Sequence, residues 1–370
     1  MRMRNPGILF VATAATALMT VLAAGCGGGA AAPTPTAAPK AGVPTAAPAV
    51  ATTAPASAPT TAAAPAKVFE MKVGHTHPET HPHHKAWVKF SEEVAKATNG
   101  GIKVNIFPNN QLGSLDEVIT AMQANTVQGL DTPTSFMTGV LPELGLFDMA
   151  YLFRDVDHML KVADGPIGAK VYDKLPAKGL RVIGTMNAGT WSIYNSKRPI
   201  KTADDVKGLK IRTMSSPVLV ESINLLGGSG VAMAPGEVYS AIQQKVIDGS
   251  VNSLVFYNDS KHYEVAKYYS KNDLWIIPDD LVISEKFFQS LPADYQKAVL
   301  AAGKAAVEQE RKDWVELEKT AEQSLKSKGA EINEVDPGQA SFRKAMEPLY
   351  GKFADKVGGM DLIKEVQNSK

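Results

Sequence analysis

From residue 67 onward, short apolar runs of period two alternate with longer runs of helical period. Phe69, Met71 and Val73 alternate with Glu70 and Lys72 and close at Gly74, which predicts a first strand. Trp87, Phe90, Val94 and Ala97 share one helical face, predicting a helix that opens near His83 and stops at Asn99-Gly100-Gly101. Ile102, Val104 and Ile106 predict a second strand, and Gln111-Leu112-Gly113 leads into a helix through Val118, Met122 and Val127. Residues 131–190 read as loop-rich, with a helix from His158 towards Leu175 and a strand around 181–186. Arg154-Asp155 sits in that region, and a supporting ion pair is expected of Arg154.

The stretch from Gly208 to Tyr257 is the most regular. Leu209, Ile211 and Thr213 alternate with Lys210, Arg212 and Met214 as a strand, and a helix through Val218, Ile223 and Leu226 ends at Gly227-Gly228. Val231–Met233 is a second strand. Pro235 then starts a helix whose stripe is Val238, Ala241, Ile242 and Val246, and a third strand begins at Ser250. Strand, helix, strand, helix, strand is an α/β unit with a parallel sheet. Thr202-Ala-Asp-Asp205 has capping-box spacing just before it. Further on, Leu274–Ile277 and Leu281–Ile283 flank Pro278 as strands that return the chain to an earlier sheet. Tyr295, Val299, Ala302, Ala306, Trp314, Leu317 and Ala321 then keep helical spacing from Pro292 to Gly329. About 35 residues make roughly 50 Å of helix, longer than one domain of this size, so this helix spans two. Phe342, Met346, Leu349, Phe353 and Leu362 predict short terminal helices.

Before residue 67 the composition changes. Arg2 and Arg4 precede an apolar run from Ile8 to Ala24 that ends in Ala-Ala-Gly-Cys, the layout of a signal peptide over 1–25. Cys26 is the chain's single cysteine and has no internal disulfide partner. Its place suits lipid attachment after cleavage; the alternative is an uncleaved anchor, since about 17 apolar residues approach a spanning length. Residues 27–66 are Ala, Pro, Thr and Gly almost throughout, a composition that buries no core and reads as an extended tether. The net charge of +1 and the lack of a basic block exclude nucleic-acid binding.

Candidate chemistry is confined to a few places. Arg212 and Asn252 stand on the first and third strands of the central unit. Ligands of open α/β sheets bind outside the carboxyl ends of strands, where an Arg offers a fork that fits a carboxylate. The other reading of Arg212 is a surface ion pair. HTHPETHPHH holds five of the seven histidines. A metal site is one reading, but no Cys accompanies them, no His-Glu-x-x-His spacing occurs and two prolines interrupt. His83 and His84 also point to different helix faces, so the run is read as a strand-to-helix loop without metal. No Ser–His–Asp order, phosphate loop or carboxylate pair points to an enzyme, and no cofactor is implied.

The segments MKVGHTHPETHPHHKAWVKFSEEV, IFPNNQLGSLDEVI, YNSKRPIKTADDVKGLKIRTMSSPV, MAPGEVYSAIQQKVIDGSVN and KHYEVAKYY, in this order, resemble the DctP-type substrate-binding proteins of TRAP transporters. The resemblance implies a two-domain, periplasmic-binding-protein-like α/β fold with a ligand cleft between the domains. It implies residues 67–188 with 278–317 as one domain and 189–277 with 318–370 as the other. It also implies an exported, monomeric receptor that passes a small carboxylic acid to a sodium-coupled permease. A receptor of an ATP-driven importer shares the two-domain plan and is the alternative. The implied ligand contacts are Arg212, Asn252, Ser215, Trp191, His75 from the histidine loop, and Gln128. Two of these depart from the family pattern: Trp191 stands where an Arg is common and Gln128 where an Asp is common. Pro235 replaces a frequent aromatic residue. One cationic anchor with an aromatic wall implies a ligand larger or more apolar than a simple dicarboxylate.

Overall fold

The computed structural model describes residues 67–370. The signal segment 1–25, Cys26 and the tether to residue 66 lie outside the described residues. The strands are β1 (Phe69–Gly74), β2 (Ile102–Phe107), β3 (Gly129–Pro133), β4 (Leu180–Met186), β5 (Trp191–Asn195), β6 (Lys210–Thr213), β7 (Ser229–Ala232), β8 (Gly249–Asn252), β9 (Tyr268–Trp275), β10 (Asp279–Ser284) and β11 (Glu331–Glu334). They form two sheets, ordered β2-β1-β3-β10-β4 and β11-β9-β5-β8-β6-β7. In the first, β2, β1 and β3 run parallel while β10 is antiparallel to both β3 and β4. In the second, β6 pairs in parallel with β7 and β8, as the strand–helix alternation requires. Two mixed α/β sheets, one per domain, make the two-domain fold.

The alternating strands bury the residues their patterns select: Met71 and Val73 of β1 and Ile211 of β6 are fully buried. The first helix, Pro82–Ala97, opens where His81 accepts a hydrogen bond from the His83 N–H and Pro82 occupies the first turn. It buries Trp87, Phe90 and Val94, but Ala97 is exposed. The Thr202–Asp205 capping box is formed. Four expectations change. The helix from His158 to Leu175 is two helices, Val156–Asp164 and Pro166–Tyr172, because Pro166 cannot continue the first. Val246 lies beyond the helix Val238–Gln243 and is exposed, and Val127 lies beyond the helix Leu115–Gln123. Arg154 makes no ion pair among the described residues; its guanidinium reaches the Gln367 carbonyl at 3.4 Å.

The helix Ala293–Ser327 is 35 residues long and serves both halves. Its Val299, Ala302, Ala306 and Val307 pack with β1, β4 and β10 in one core. Further along, Trp314 and Ala321 pack on Val255, and Leu325 on Tyr194 and Tyr269 of the second sheet. Gly303 lets the helix lie on β4, since a Cβ there would stand 2.5 Å from the Ile183 carbonyl oxygen. The long helix and the β4–β5 and β9–β10 connections join the two halves. No helix of the described residues is long and apolar enough to cross a membrane.

Candidate functional site

The carboxyl ends of β1 and β3 from one sheet, and of β6 and β8 from the other, meet at a narrow cavity of about 30 Å³. Thr76 and His77 follow β1, Pro133 ends β3, Arg212 and Met214 belong to the end of β6, and Asn252 ends β8. Trp191, Phe256 and Trp314 give it aromatic walls. An outer space of about 290 Å³ adjoins it through Thr76, His77, Pro235 and Phe256. The lips lie close: a Cβ on Gly236 would stand 3.7 Å from Asn110 Nδ2. Crevices at the carboxyl ends of parallel strands are where α/β folds take small molecules.

Arg212 is 1% exposed, Nε donates to the Met233 carbonyl at 2.8 Å, and Nη2 has no partner. Among the described residues no carboxylate lies within ion-pair distance of it. Burial lowers its pKa to about 10, which still leaves it charged at neutral pH. Next to it, burial and then the Arg212 charge push His262 down to about 3, so that ring is neutral. Trp191 is buried too, but its indole N–H donates to the Ala188 carbonyl at 2.9 Å. It therefore presents a face and no donor. Trp314 Nε1, by contrast, is buried without a partner on the cavity wall.

The opposite wall is built from histidines and acids. His77, His81 and His83 are buried and line the cavity, with His77 stacked on His81 at 3.9 Å between ring centroids. His83 Nδ1 lies 3.4 Å from Asp131 Oδ2 and 3.9 Å from Asp279 Oδ2; its Nε2 lies 3.6 Å from Glu310 Oε1 and 3.2 Å from the Asn187 carbonyl. Burial alone would lower His83, but Asp279 and then Asp131 and Glu310 outweigh it and raise it to about 10. Burial drives His77 and His81 well below their ordinary value, so both are neutral. Asp279 is pushed far up by burial, and Glu310 to about 7 by the same cause. Asp131 is held below the usual carboxylate range: burial opposes this, but bonds from His83 and Trp87 overcome it.

Of the residues expected to meet the ligand, Arg212, Asn252 and Trp191 come together in the cavity wall. The other three do not line it. His75 is buried behind the loop, where Nδ1 accepts from the His77 N–H and Nε2 meets His84 Nδ1 at 3.0 Å. Gln128 spends its amide on backbone, accepting from the Lys72 N–H and donating to the Asn125 carbonyl. Ser215 is exposed, at the turn after β6. The sequence reading missed His77, His81, His83, Asp279, Phe256 and Trp314. The histidine run was the one signal available, since its alternate members turn inward; nothing local marks Asp279 or Trp314.

A family model described as bacterial extracellular solute-binding protein, family 7 (DctP), matches residues 73–356. The chain belongs to this family. A solute-binding protein of Chromohalobacter salexigens is 31% identical over 295 residues, 80% of this chain and 88% of that protein. Among solved structures, a TRAP periplasmic solute-binding protein of a Sulfitobacter species with bound β-D-galacturonate is 33% identical. It has a TM-score of 0.78 and covers 81% of this chain and all of that one. One from a Polaromonas species bound to D-erythronate is also 33% identical, with a TM-score of 0.79, covering 82% of this chain and 99% of that one. As a family 7 protein the chain is an extracytoplasmic receptor that captures a small organic acid for a TRAP permease, not the receptor of an ATP-driven importer.

Proposed function

We propose that the solute is a sugar acid, a hexuronate or a shorter aldonate, whose carboxylate pairs with Arg212. The observation that carries this is the buried guanidinium with Nη2 unpartnered at the cavity wall. A buried charge without a counter-ion is costly, and an incoming carboxylate relieves that cost with a bidentate fork. Arg212 is the single Lys or Arg lining the cavity, and the far wall carries Asp279. That wall receives hydroxyl donors better than it receives a second carboxylate, which favours a polyhydroxy monoacid over a dicarboxylate. Trp191, Phe256 and Trp314 suit the apolar faces of a sugar ring, with Trp314 Nε1 and Asn252 Nδ2 left to donate to its hydroxyls, Asn252 Oδ1 already accepting from the Ser253 N–H. The galacturonate and erythronate held by the two related structures support the same class.

In this reading residues 67–188 with 278–317 and residues 189–277 with 318–370 are the two closing domains. The receptor is monomeric and non-catalytic, held to the membrane by lipid on Cys26 with 27–66 as its tether. A thermal-shift screen tests the ligand class. D-galacturonate, D-glucuronate and D-erythronate should raise the melting temperature, whereas glucose and succinate should not. Stabilisation by succinate alone would overturn the sugar-acid reading. Anchorage is tested separately: Cys26→Ser should release the protein from membranes or leave its precursor uncut. An unchanged membrane fraction with normal processing would remove the lipid anchor from the account.

A further inference from the structure

The acid-and-histidine wall has a geometry that the capture of an organic acid does not require. Asp131, Asp279 and Glu310 are each at most 3% exposed, and none pairs with a Lys or Arg among the described residues. Among the described residues their one cationic partner is His83. Several atoms of the cluster are buried without a hydrogen-bond partner: His83 Nδ1, Asp131 Oδ2, Asp279 Oδ1 and Glu310 Oε1. Buried polar atoms are normally satisfied, and buried carboxylates normally have a counter-ion. Two of these orphans, His83 Nδ1 and Asp131 Oδ2, stand 3.4 Å apart without a hydrogen bond between them, and Asp279 Oδ2 lies 3.9 Å from the same His83 nitrogen.

We propose that this wall is a divalent transition-metal site, with His83 Nδ1, Asp131 Oδ2 and Asp279 Oδ2 as ligands and His77 Nε2 as the nearest fourth donor. The spacing fits. Metal–nitrogen and metal–oxygen bonds of about 2.0–2.1 Å in a tetrahedron put neighbouring donors about 3.3 Å apart. The donors here stand 3.4 Å (His83–Asp131), 3.7 Å (His77–Asp131) and 3.9 Å (His83–Asp279) apart. Closing the last by about 0.6 Å is within the reach of side-chain rotation. His83, Asp131 and Asp279 place one donor atom each within 4.8 Å of the others.

The supporting contacts are those of a metal site. A ligating histidine usually gives its other ring N–H to a carbonyl or carboxylate, which fixes the tautomer. His83 Nε2 faces the Asn187 carbonyl at 3.2 Å and Glu310 beyond it, leaving Nδ1 for a cation. Asp131 Oδ1 accepts from the Trp87 indole at 2.8 Å, which turns Oδ2 toward the histidines. His81 is not a ligand in this arrangement: its Nδ1 accepts from the His83 N–H, so its neutral ring carries its proton on Nε2. A dication would take the place of the proton between His83 and the acids and neutralise two carboxylates at once. Mixed imidazole and carboxylate donors suit zinc and its first-row neighbours rather than magnesium or calcium. His77, His83 and Asp279 also line the cavity, so an open coordination position would face the solute.

The test is a calorimetric titration of untagged protein with ZnCl2 after dialysis against chelator, with no organic acid present. Its outcome therefore stands apart from the identity of the solute. One zinc per chain is expected, together with a raised melting temperature that chelator reverses. Asp279→Asn and His77→Gln should each weaken zinc binding about 10-fold or more, whereas His158→Gln, at a buried histidine outside the cluster, should leave it unchanged. Should the variants fold poorly, visible ligand-field absorption of Co2+ bound to the wild type reads inner-sphere coordination directly. Failure of the wild type to take up zinc, or zinc affinity unchanged in a folded Asp279→Asn protein, would overturn the proposal.

Discussion

A guanidinium shut away from water with one amino group unpaired is a poor device for stability and a good one for capture. If Arg212 pairs with the solute as proposed, Arg212→Ala removes the partner of a dehydrated carboxylate, which costs about 2–5 kcal/mol, or roughly 30-fold to several thousand-fold in affinity. Arg212→Lys keeps the charge but not the fork and is expected to fall between the two. Calorimetry with D-galacturonate measures both, and wild-type affinity in a folded Arg212→Ala protein would move the anchor elsewhere. A second buried group sets a pH dependence. Burial, only partly offset by Ser135 and Ser216, raises Asp148 to about 6 from an ordinary 3.8. The native state therefore holds a proton that the unfolded chain has released between these values, and stability falls as pH rises from about 4 to 6. That loss amounts to at most about 3 kcal/mol at neutral pH. Asp148→Asn keeps the acceptor for Ser135 and should be more stable than wild type at pH 7 in urea melts, but not at pH 4. Equal gains at both pH values would show that Asp148 is not protonated in the native state.

At the scale of elements, packing overrides local preference at identifiable places. Gly303 lies inside a helix, where Ala is ordinarily better by about 1 kcal/mol. Here the added methyl would meet the β4 backbone at 2.5 Å, so Gly303→Ala should instead destabilise by about 1–3 kcal/mol. A stabilised variant in urea melts would mean that the long helix lifts freely off the sheet. Elements with one buried face were legible: β1, the first helix and the long helix all follow their apolar period, whereas β6 buries Arg212 on its second face as well. β3 was not, because Gly129–Asp131 and Thr132 are buried together and no alternation survives. β11, with the sequence EINE at a sheet edge, carries too little apolar pattern to read. Of the candidate site, what could be read was where strand ends bring residues to the cavity wall, at Arg212, Asn252 and Trp191. The candidate site was not legible where tertiary folding selects among neighbours. Which histidines turn inward, and that Asp131, Asp279 and Glu310 meet them from three distant elements, has no local signature. His75 and Gln128 are held instead by backbone hydrogen bonds that spacing does not reveal.

At the scale of the molecule, two packed halves joined by a long helix and crossing strands can hinge, because the connections bend while each core stays intact. In the binding mode proposed above, a solute between them would contact Arg212 and Asn252 from one half and the histidine wall from the other. Only the closed form makes both sets of contacts, so the solute favours that form by its differential affinity. A ligand with no grip on Arg212 has little such preference. The measurement that tests the account most directly is therefore small-angle scattering of wild type and Arg212→Ala, each with and without D-galacturonate at a concentration that saturates the wild type. The account predicts that the wild-type radius of gyration falls with ligand while that of Arg212→Ala does not. Equal compaction in both proteins, or none in a wild type shown by calorimetry to be saturated, would contradict it.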